Sequence, residues 1–311
     1  MAIFSFLGNP DFWFGVLRST TPILLAALAA LMARRCGVIN MAIEGIMLFS
    51  AFGAAIVSAF TGHVIFGVIA AMIIGIILSL VLTFFKLYMK ADEIMVAIAL
   101  NLLAVGGTVF LLFLLTGSKS TSSALKSGAI PSMELPLINQ IPFLGKIVSN
   151  HNLLVYVALI AVFVIQFILF KTPLGLRIRA VGGNEHSAES VGVSVEKTQY
   201  IAMAISGVLS GLAGAYMSMG YLTMFTAGMV SGRGYIALAA SSVGGAAPFG
   251  TFLASILFGM FDQLGNQLQT QRLIAPEFIY MIPYIATIVM YTFYTYRKKT
   301  ARQRQQQKMK G

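Results

Sequence analysis

Few residues in this chain could do chemistry, and most of them stand inside long apolar runs. Asn40 and Glu44 interrupt CGVINMAIEGIMLFSAFGAAIVSAF, and Asn101 interrupts the run that starts near Ile94. Asp262, Gln263, Asn266 and Gln267 form i, i+4 pairs that give one polar face near the end of another run. Arg233, Ser241 and Ser242 lie in a stretch rich in glycine and small residues. Ionisable groups are expensive in lipid, so each is a candidate for a substrate, ion or proton pathway. Each also has a plainer reading. Glu44 could sit at a membrane edge near Arg35, Asn101 could be glue between helices, the Asp262 face could be a helix end surfacing into water, and Arg233 could cap carbonyls.

Enzyme chemistry finds no support. The sequence lacks GxxxxGK[ST], HExxH and GxSxG, and His63, His151 and His186 are isolated. We therefore expect no catalytic residues, no bound metal, no cofactor and no ATP hydrolysis by this chain itself. Cys36 is the single cysteine, which rules out an intrachain disulfide.

The elements that must position these groups are membrane helices. Of 311 residues, 58% are hydrophobic and only 10% are charged. Several apolar runs reach the roughly 20 residues a helix needs to cross a bilayer. Backbone groups in lipid must be satisfied within the segment, which favours helices, and the short alternating segments of a barrel are missing. Spans are expected at about Phe12–Ala33, Met41–Phe60, Val64–Phe85, Ile94–Leu115, Leu153–Phe170, Ser194–Met219, Thr251–Leu268 and Phe278–Tyr296. Pro22 should kink the first span or mark its true start. The run from Thr223 to Gly250 is apolar but broken, and is either re-entrant or a broken span. The fold class is thus an all-α polytopic membrane protein with about eight or nine transmembrane helices, in one domain over residues 1–311. No cleavable signal peptide is visible at its start.

The net charge of +11 reflects topology and does not point to nucleic acid. Seven of the 21 basic residues lie between Arg297 and Lys310, and most others fall between apolar runs. Lysine and arginine in short loops mark the cytosolic side. That rule places Arg34-Arg35, Lys86 to Lys90, residues 171–197 and the basic tail 297–311 inside, and residues 117–150 outside, with the N-terminus outside. The assignment requires one crossing between Thr223 and Gly250. A weak echo links GVINMAIEGIMLFSAFGAA with SGRGYIALAASSVGGAAP, which fits either two related halves or chance similarity among small-residue helices.

The polar passage 171–197 has local structure of its own. Asn184 suits an N-cap, Glu185 suits the first turn, and Gly192 suits the C′ position of a helix of about two turns. Ala188 and Val191 would share one face, giving a small-residue surface. Ser194 can cap the next long helix. A solvated loop held inside by its arginines is the alternative.

Four strings carry a resemblance to a known family. TTPILLAALAALMARRCGVINMAIEGIMLFSAFGAA, ADEIMVAIALNLLAVGGT, LGLRIRAVGGNEHSAESVGVSV and SGRGYIALAASSVGG resemble, in that order, the permease subunits of bacterial ABC importers. Within the ribose and branched-chain amino-acid group the chain looks most like nucleoside permeases. It departs from that pattern at Glu93, where Gln is expected, and at Ala97, where Gly is commoner. The resemblance implies a multi-pass protein of the bacterial cell membrane. It also implies that a short cytosolic helix docks on an ATPase subunit, here through Gly183, Asn184, Glu185, Ala188, Glu189, Val191 and Gly192. The implied partners are an ATP-binding subunit, a second homologous permease and an extracytoplasmic substrate-binding protein. Asn40, Glu44, Asn101, Ser241, Ser242 and Asn266 are the expected lining of the path, for nucleosides, or alternatively for simple sugars or branched-chain amino acids. A self-sufficient secondary transporter using Glu44 or Asp262 is the other reading.

Overall fold

The computed structural model describes residues 9–134 and 144–270, together with positions 292 and 296. The last expected span, apart from those two positions, and the basic tail lie outside the described residues.

Chain order follows the apolar runs. Helix α1 spans Pro10–Arg35, α2 Ile43–Thr61, α3 Val64–Leu87 and α4 Glu93–Thr116. A two-residue strand β1 (Ser132–Met133), a short helix α5 (Leu144–Val148) and strand β2 (His151–Asn152) follow. Next come α6 (Leu153–Lys171), α7 (Pro173–Gly183), α8 (Glu185–Ser190) and α9 (Val195–Ala215), which continues as a π-helical turn through Tyr221. Helices α10 (Arg233–Val243) and α11 (Pro248–Thr270) close the described chain. Among the described residues, α1, α2, α3, α4, α6 and the α9–π segment are long and apolar enough to cross a membrane.

Helix ends are set by local chemistry. Asn9 caps α1 by accepting from the Asp11 amide at 3.0 Å, and Pro10 takes the first turn, where a missing N–H costs nothing. Asp92 caps α4 with bonds to the Ile94 and Met95 amides, and Asn152 caps α6. Helix α1 runs unbroken through Pro22, so Pro22 does not mark its start. A proline leaves the carbonyl four residues earlier without its helical partner. Here that carbonyl belongs to Arg18, and the buried Tyr216 hydroxyl donates to it at 3.1 Å. The broken hydrogen-bond ladder is repaired from another helix.

Helices α1, α2 and α9 are mostly buried, whereas α3, α4 and α6 expose most of their surface. The first three form the centre, and the others present Ile65, Ile73, Leu102, Phe110 and Phe163 outward. Small residues let the two layers approach. A Cβ on Gly207 of α9 would strike the backbone of Gly75 and Ile76 on α3, and one on Gly214 would strike α2 at Met47. Association in lipid depends on such close backbone packing, because apolar burial gives little preference between lipid and protein.

The basic clusters gather at one end. Gly182 lies against the Arg35 carbonyl, Lys86 donates to the Gly37 carbonyl at 2.6 Å, and Arg35 and Arg179 both lie over the Phe170 ring. At the opposite end the chain after α4 folds back over the bundle. Thr121 bridges Thr226, Ser122 and Phe225 exchange hydrogen bonds, and β1 pairs antiparallel with β2.

The stretch after the π-turn is a long element with two parts. Residues 222–232 start at that opposite end, beside Thr121, and α10 then runs to Ser242, which lies against Arg34 at the basic end. Eleven residues of α10 span about 16 Å, roughly half a hydrocarbon core.

Candidate functional site

The most constrained polar cluster lies where α10 begins. Gly232, with φ of +80°, turns the chain into α10 and leaves the first amides of the helix pointing at Glu44. The Glu44 carboxylate accepts from the Gly232 and Gly234 amides, each at 2.7 Å. It thus caps a helix 188 residues away in sequence, and the positive end of the α10 dipole holds the charge. Glu44 also lies in the first turn of α2. The two helix starts therefore abut: a Cβ on Gly234 would lie 2.7 Å from the Glu44 Cα. These are the two segments that echo each other in sequence.

Asn101 locks the same junction from α4. Its carbonyl oxygen accepts from the Gly45 amide at 2.8 Å, and its amide donates to the Met41 carbonyl at 3.0 Å and the Tyr235 hydroxyl at 3.1 Å. Eight residues separate Asn101 from Glu93 at the start of α4, or about 12 Å of helix, which puts the junction well inside the membrane. Glu93 itself pairs with Lys86 at 2.9 Å.

A buried ion pair completes the cluster. Arg233 meets Asp262 of α11 at 3.2 Å, and its other nitrogen reaches the Val230 carbonyl at 3.4 Å. Both side chains are mostly shielded from solvent, where an unpaired charge would cost several kcal/mol. Arg18 and Arg233 both lie over the Tyr221 ring, at 4.7 and 5.6 Å from its centroid.

Two cavities border this junction. One, of about 580 Å³, is walled by Tyr221, Ser231, Arg233, Asp262, Asn266 and Gln269 among others. The second, of about 380 Å³, is walled by Glu44, Asn101, Tyr235 and Ser231 with Ile98, Leu102 and Val105. Gly228 and Ser231 belong to both walls. Such volumes suit small organic molecules.

The residues expected to line a path thus separate. Glu44 and Asn101 share one cavity, and Asn266 borders the other. Asn40 is buried, accepts from the Ala42 amide and donates to Ser206, so it shapes the turn before α2. Ser241 is buried, and Ser242 accepts from Arg34 at 2.8 Å; neither borders these cavities. Of the polar face on α11, Asp262 and Asn266 face the larger cavity, whereas Gln263 packs over Gly15 of α1.

At the basic end, Asn184 caps α8 by accepting from the Ser187 amide at 3.1 Å, and Gly192 follows the helix with φ of +82°. Ser194 caps α9. Ala188 and Val191 do not share an exposed face. Ala188 is buried against Val181 and Val195, while Val191 is exposed. The cause is α7, which packs beside α8 and takes up the one apolar side chain of that helix. Thr172 followed by Pro173 is an N-cap and first-turn signal that could have revealed α7 in the sequence. Gly183, Glu185, Glu189 and Gly192 are exposed. Glu185 nevertheless turns one oxygen inward to Gln199, a buried residue that polarity alone did not single out.

Similarity to known proteins agrees with this architecture. The family model described as "branched-chain amino acid transport system / permease component" matches residues 12–291. The chain is 33% identical over 283 residues to the guanosine ABC transporter permease protein NupQ of Bacillus subtilis (strain 168), covering 87% of this chain and 88% of that one. It is 30% identical over 283 residues to the nucleoside ABC transporter permease protein NupC of Lactococcus lactis subsp. cremoris, with the same coverage. It is also 30% identical to the putative glucose ABC transporter permease protein TsgC13 of Haloferax volcanii, over 92% of each chain. Among solved structures, PsaBC from Streptococcus pneumoniae aligns with a TM-score of 0.57 at 13% identity, covering 93% of this chain and 95% of that one, a likeness of fold.

Proposed function

The chain belongs to the branched-chain amino acid transport system permease family, and on that premise we propose that it forms one wall of the membrane path of an ATP-driven importer whose cargo is a nucleoside. The protein is a multi-pass membrane permease subunit and not itself an enzyme. The nucleoside assignment rests on NupQ and NupC, two relatives named for guanosine and nucleoside transport.

One observation carries the path. The cavity of Glu44, Asn101 and Tyr235 borders Ile98, Leu102 and Val105, all exposed on α4. Polar groups opening onto an apolar membrane face are costly against lipid. A second, homologous permease covering that face gives them a wet, protein-walled route. Residues 222–232 with α10 then serve as one broken crossing, and α11 as the next. Added to the six long helices these make eight crossings among the described residues, with the two abutting helix starts as the centre of two related halves.

The basic end faces the cytosol by its lysines and arginines. Helix α8, with Gly183, Asn184, Glu185, Glu189, Val191 and Gly192 outward, docks on the ATP-binding subunit, and Ala188 supports it from beneath. An extracytoplasmic binding protein delivers cargo at the opposite end.

The test is reconstitution with the two ATP-binding subunits, the second permease and the binding protein. Labelled uridine or guanosine should enter vesicles only with ATP, and unlabelled nucleosides should compete. Competition by ribose, glucose or leucine in place of nucleosides would remove the nucleoside reading and leave the permease one standing. Uptake driven by an ion gradient without ATP would remove both.

A further inference from the structure

We propose that Glu44 sets the charge selectivity of the path, closing it to anionic and zwitterionic cargo and leaving it open to neutral, hydrogen-bonding molecules. The inference deepens the nucleoside reading and rests on the two cavities being the route. It arises from how the charges at the helix junction are already spent.

The starts of α2 and α10 converge there, and each helix N-terminus carries about half a positive charge. Inside a membrane, converging helix starts of this kind attract an anion, and a cargo carboxylate is a natural occupant. Here Glu44 fills that position, with both backbone amides bonded at 2.7 Å. Arg233, the cation beside it, is matched by Asp262 at 3.2 Å. Two carboxylates therefore face one guanidinium and two half-charged helix ends, and the junction carries no net charge. Arg18 reaches the Tyr221 ring from the far end of α1 but is exposed, where water screens it.

A phosphate or carboxylate entering either cavity would thus find its counter-charges occupied and would itself lose hydration. An amino acid fares no better, because its ammonium and carboxylate each need a separate partner. A nucleoside needs only donors and acceptors. Asn101, Tyr235, Asn266 and Gln269 place uncharged polar groups on the cavity walls. Glu44 acts here as a specificity-determining residue: it excludes by occupying the anion position.

The test uses the whole reconstituted complex and two cargos of one shape: uridine, and the analogue whose 5′-hydroxymethyl group is oxidised to a carboxylate. Binding of each to the isolated binding protein is measured separately, so that ATP-driven uptake is read per bound cargo. Wild type should move the carboxylate analogue at least about tenfold more slowly than uridine, the scale of an uncompensated charge in a membrane path. Glu44→Gln keeps the size of the side chain and one acceptor while leaving the junction positive, and should shrink that ratio several-fold. Equal uptake of both cargos by wild type would overturn the proposal without any variant. So would an unchanged ratio in Glu44→Gln. Failure of wild type to move uridine at all would instead count against the nucleoside reading.

Discussion

The side-chain amide of Gln199 donates to the Glu185 carboxylate at 2.8 Å and to the Cys36 carbonyl at 3.1 Å. One buried amide therefore joins the first turn of α8 to the turn that follows α1. That turn leads through Gly37, held by Lys86, to Asn40 and then to Glu44 at the helix junction. If α8 docks on the ATPase as proposed, this chain of contacts would link its movement to the helix junction.

Gln199→Leu should break this link while keeping the volume of the site. Leaving Glu185 and a buried carbonyl unpaired costs about 1–3 kcal/mol, enough to release α8 from the bundle without unfolding it. The expected outcome is ATP hydrolysis that persists while cargo moved per ATP falls several-fold. A ratio equal to that of wild type would show that the amide is only a packing element.

Ala188→Trp and Glu189→Arg should separate support from contact. The ring cannot fit between Val181 and Val195, and overpacking costs about 1–3 kcal/mol, so α8 must shift. Glu189 is exposed, and reversing its charge alters only the face proposed to dock. Both variants should lose co-purification with the ATPase. Only Ala188→Trp should raise protease sensitivity in the 171–197 segment. Normal uptake by both would refute docking through α8.

Tyr216→Phe removes the one hydroxyl that satisfies the Arg18 carbonyl freed by Pro22. A part-buried hydrogen bond is worth about 0.5–1.5 kcal/mol, so the melting temperature in detergent should fall by a few degrees. The double change with Pro22→Ala should recover part of the loss, because Ala restores the amide that Arg18 would then accept from. Two losses that simply add would show that the phenol and the proline are unconnected.

What could be read in the sequence was local. Asn184, Gly192 and Ser194 act within a few residues of themselves, and their capping roles follow from type and spacing. The long spans follow from apolar length. The meeting of Glu44 with Gly232 and Gly234 could not be read, since a carboxylate near a helix start looks the same whether it faces water or another helix. Pro22 illustrates the same limit: its cost is real, but Tyr216, far along the chain, offsets it. Ala188 turned inward because α7 forms beneath it, and Thr172-Pro173 was the overlooked signal. Polarity within apolar sequence picked Glu44, Asn101 and Asn266, which border the two cavities, and equally Asn40 and Ser241, which are buried away from them.

Sidedness can be tested with the native cysteine left in place. Cys36 is fully buried, and that burial pushes its thiol up to about 12. The thiolate is the reactive form, so at neutral pH the native chain should resist an impermeant maleimide, and raising the pH to about 9 should not change this. Ser122 is a poor reporter for the opposite end because it is buried and bonded to Phe225. Ser123 and Ser187 are both exposed. Intact cells should label Ser123→Cys and leave Ser187→Cys untouched until the membrane is permeabilised. The reverse pattern would place α8 outside, away from any ATPase, and would invert the map of the whole chain.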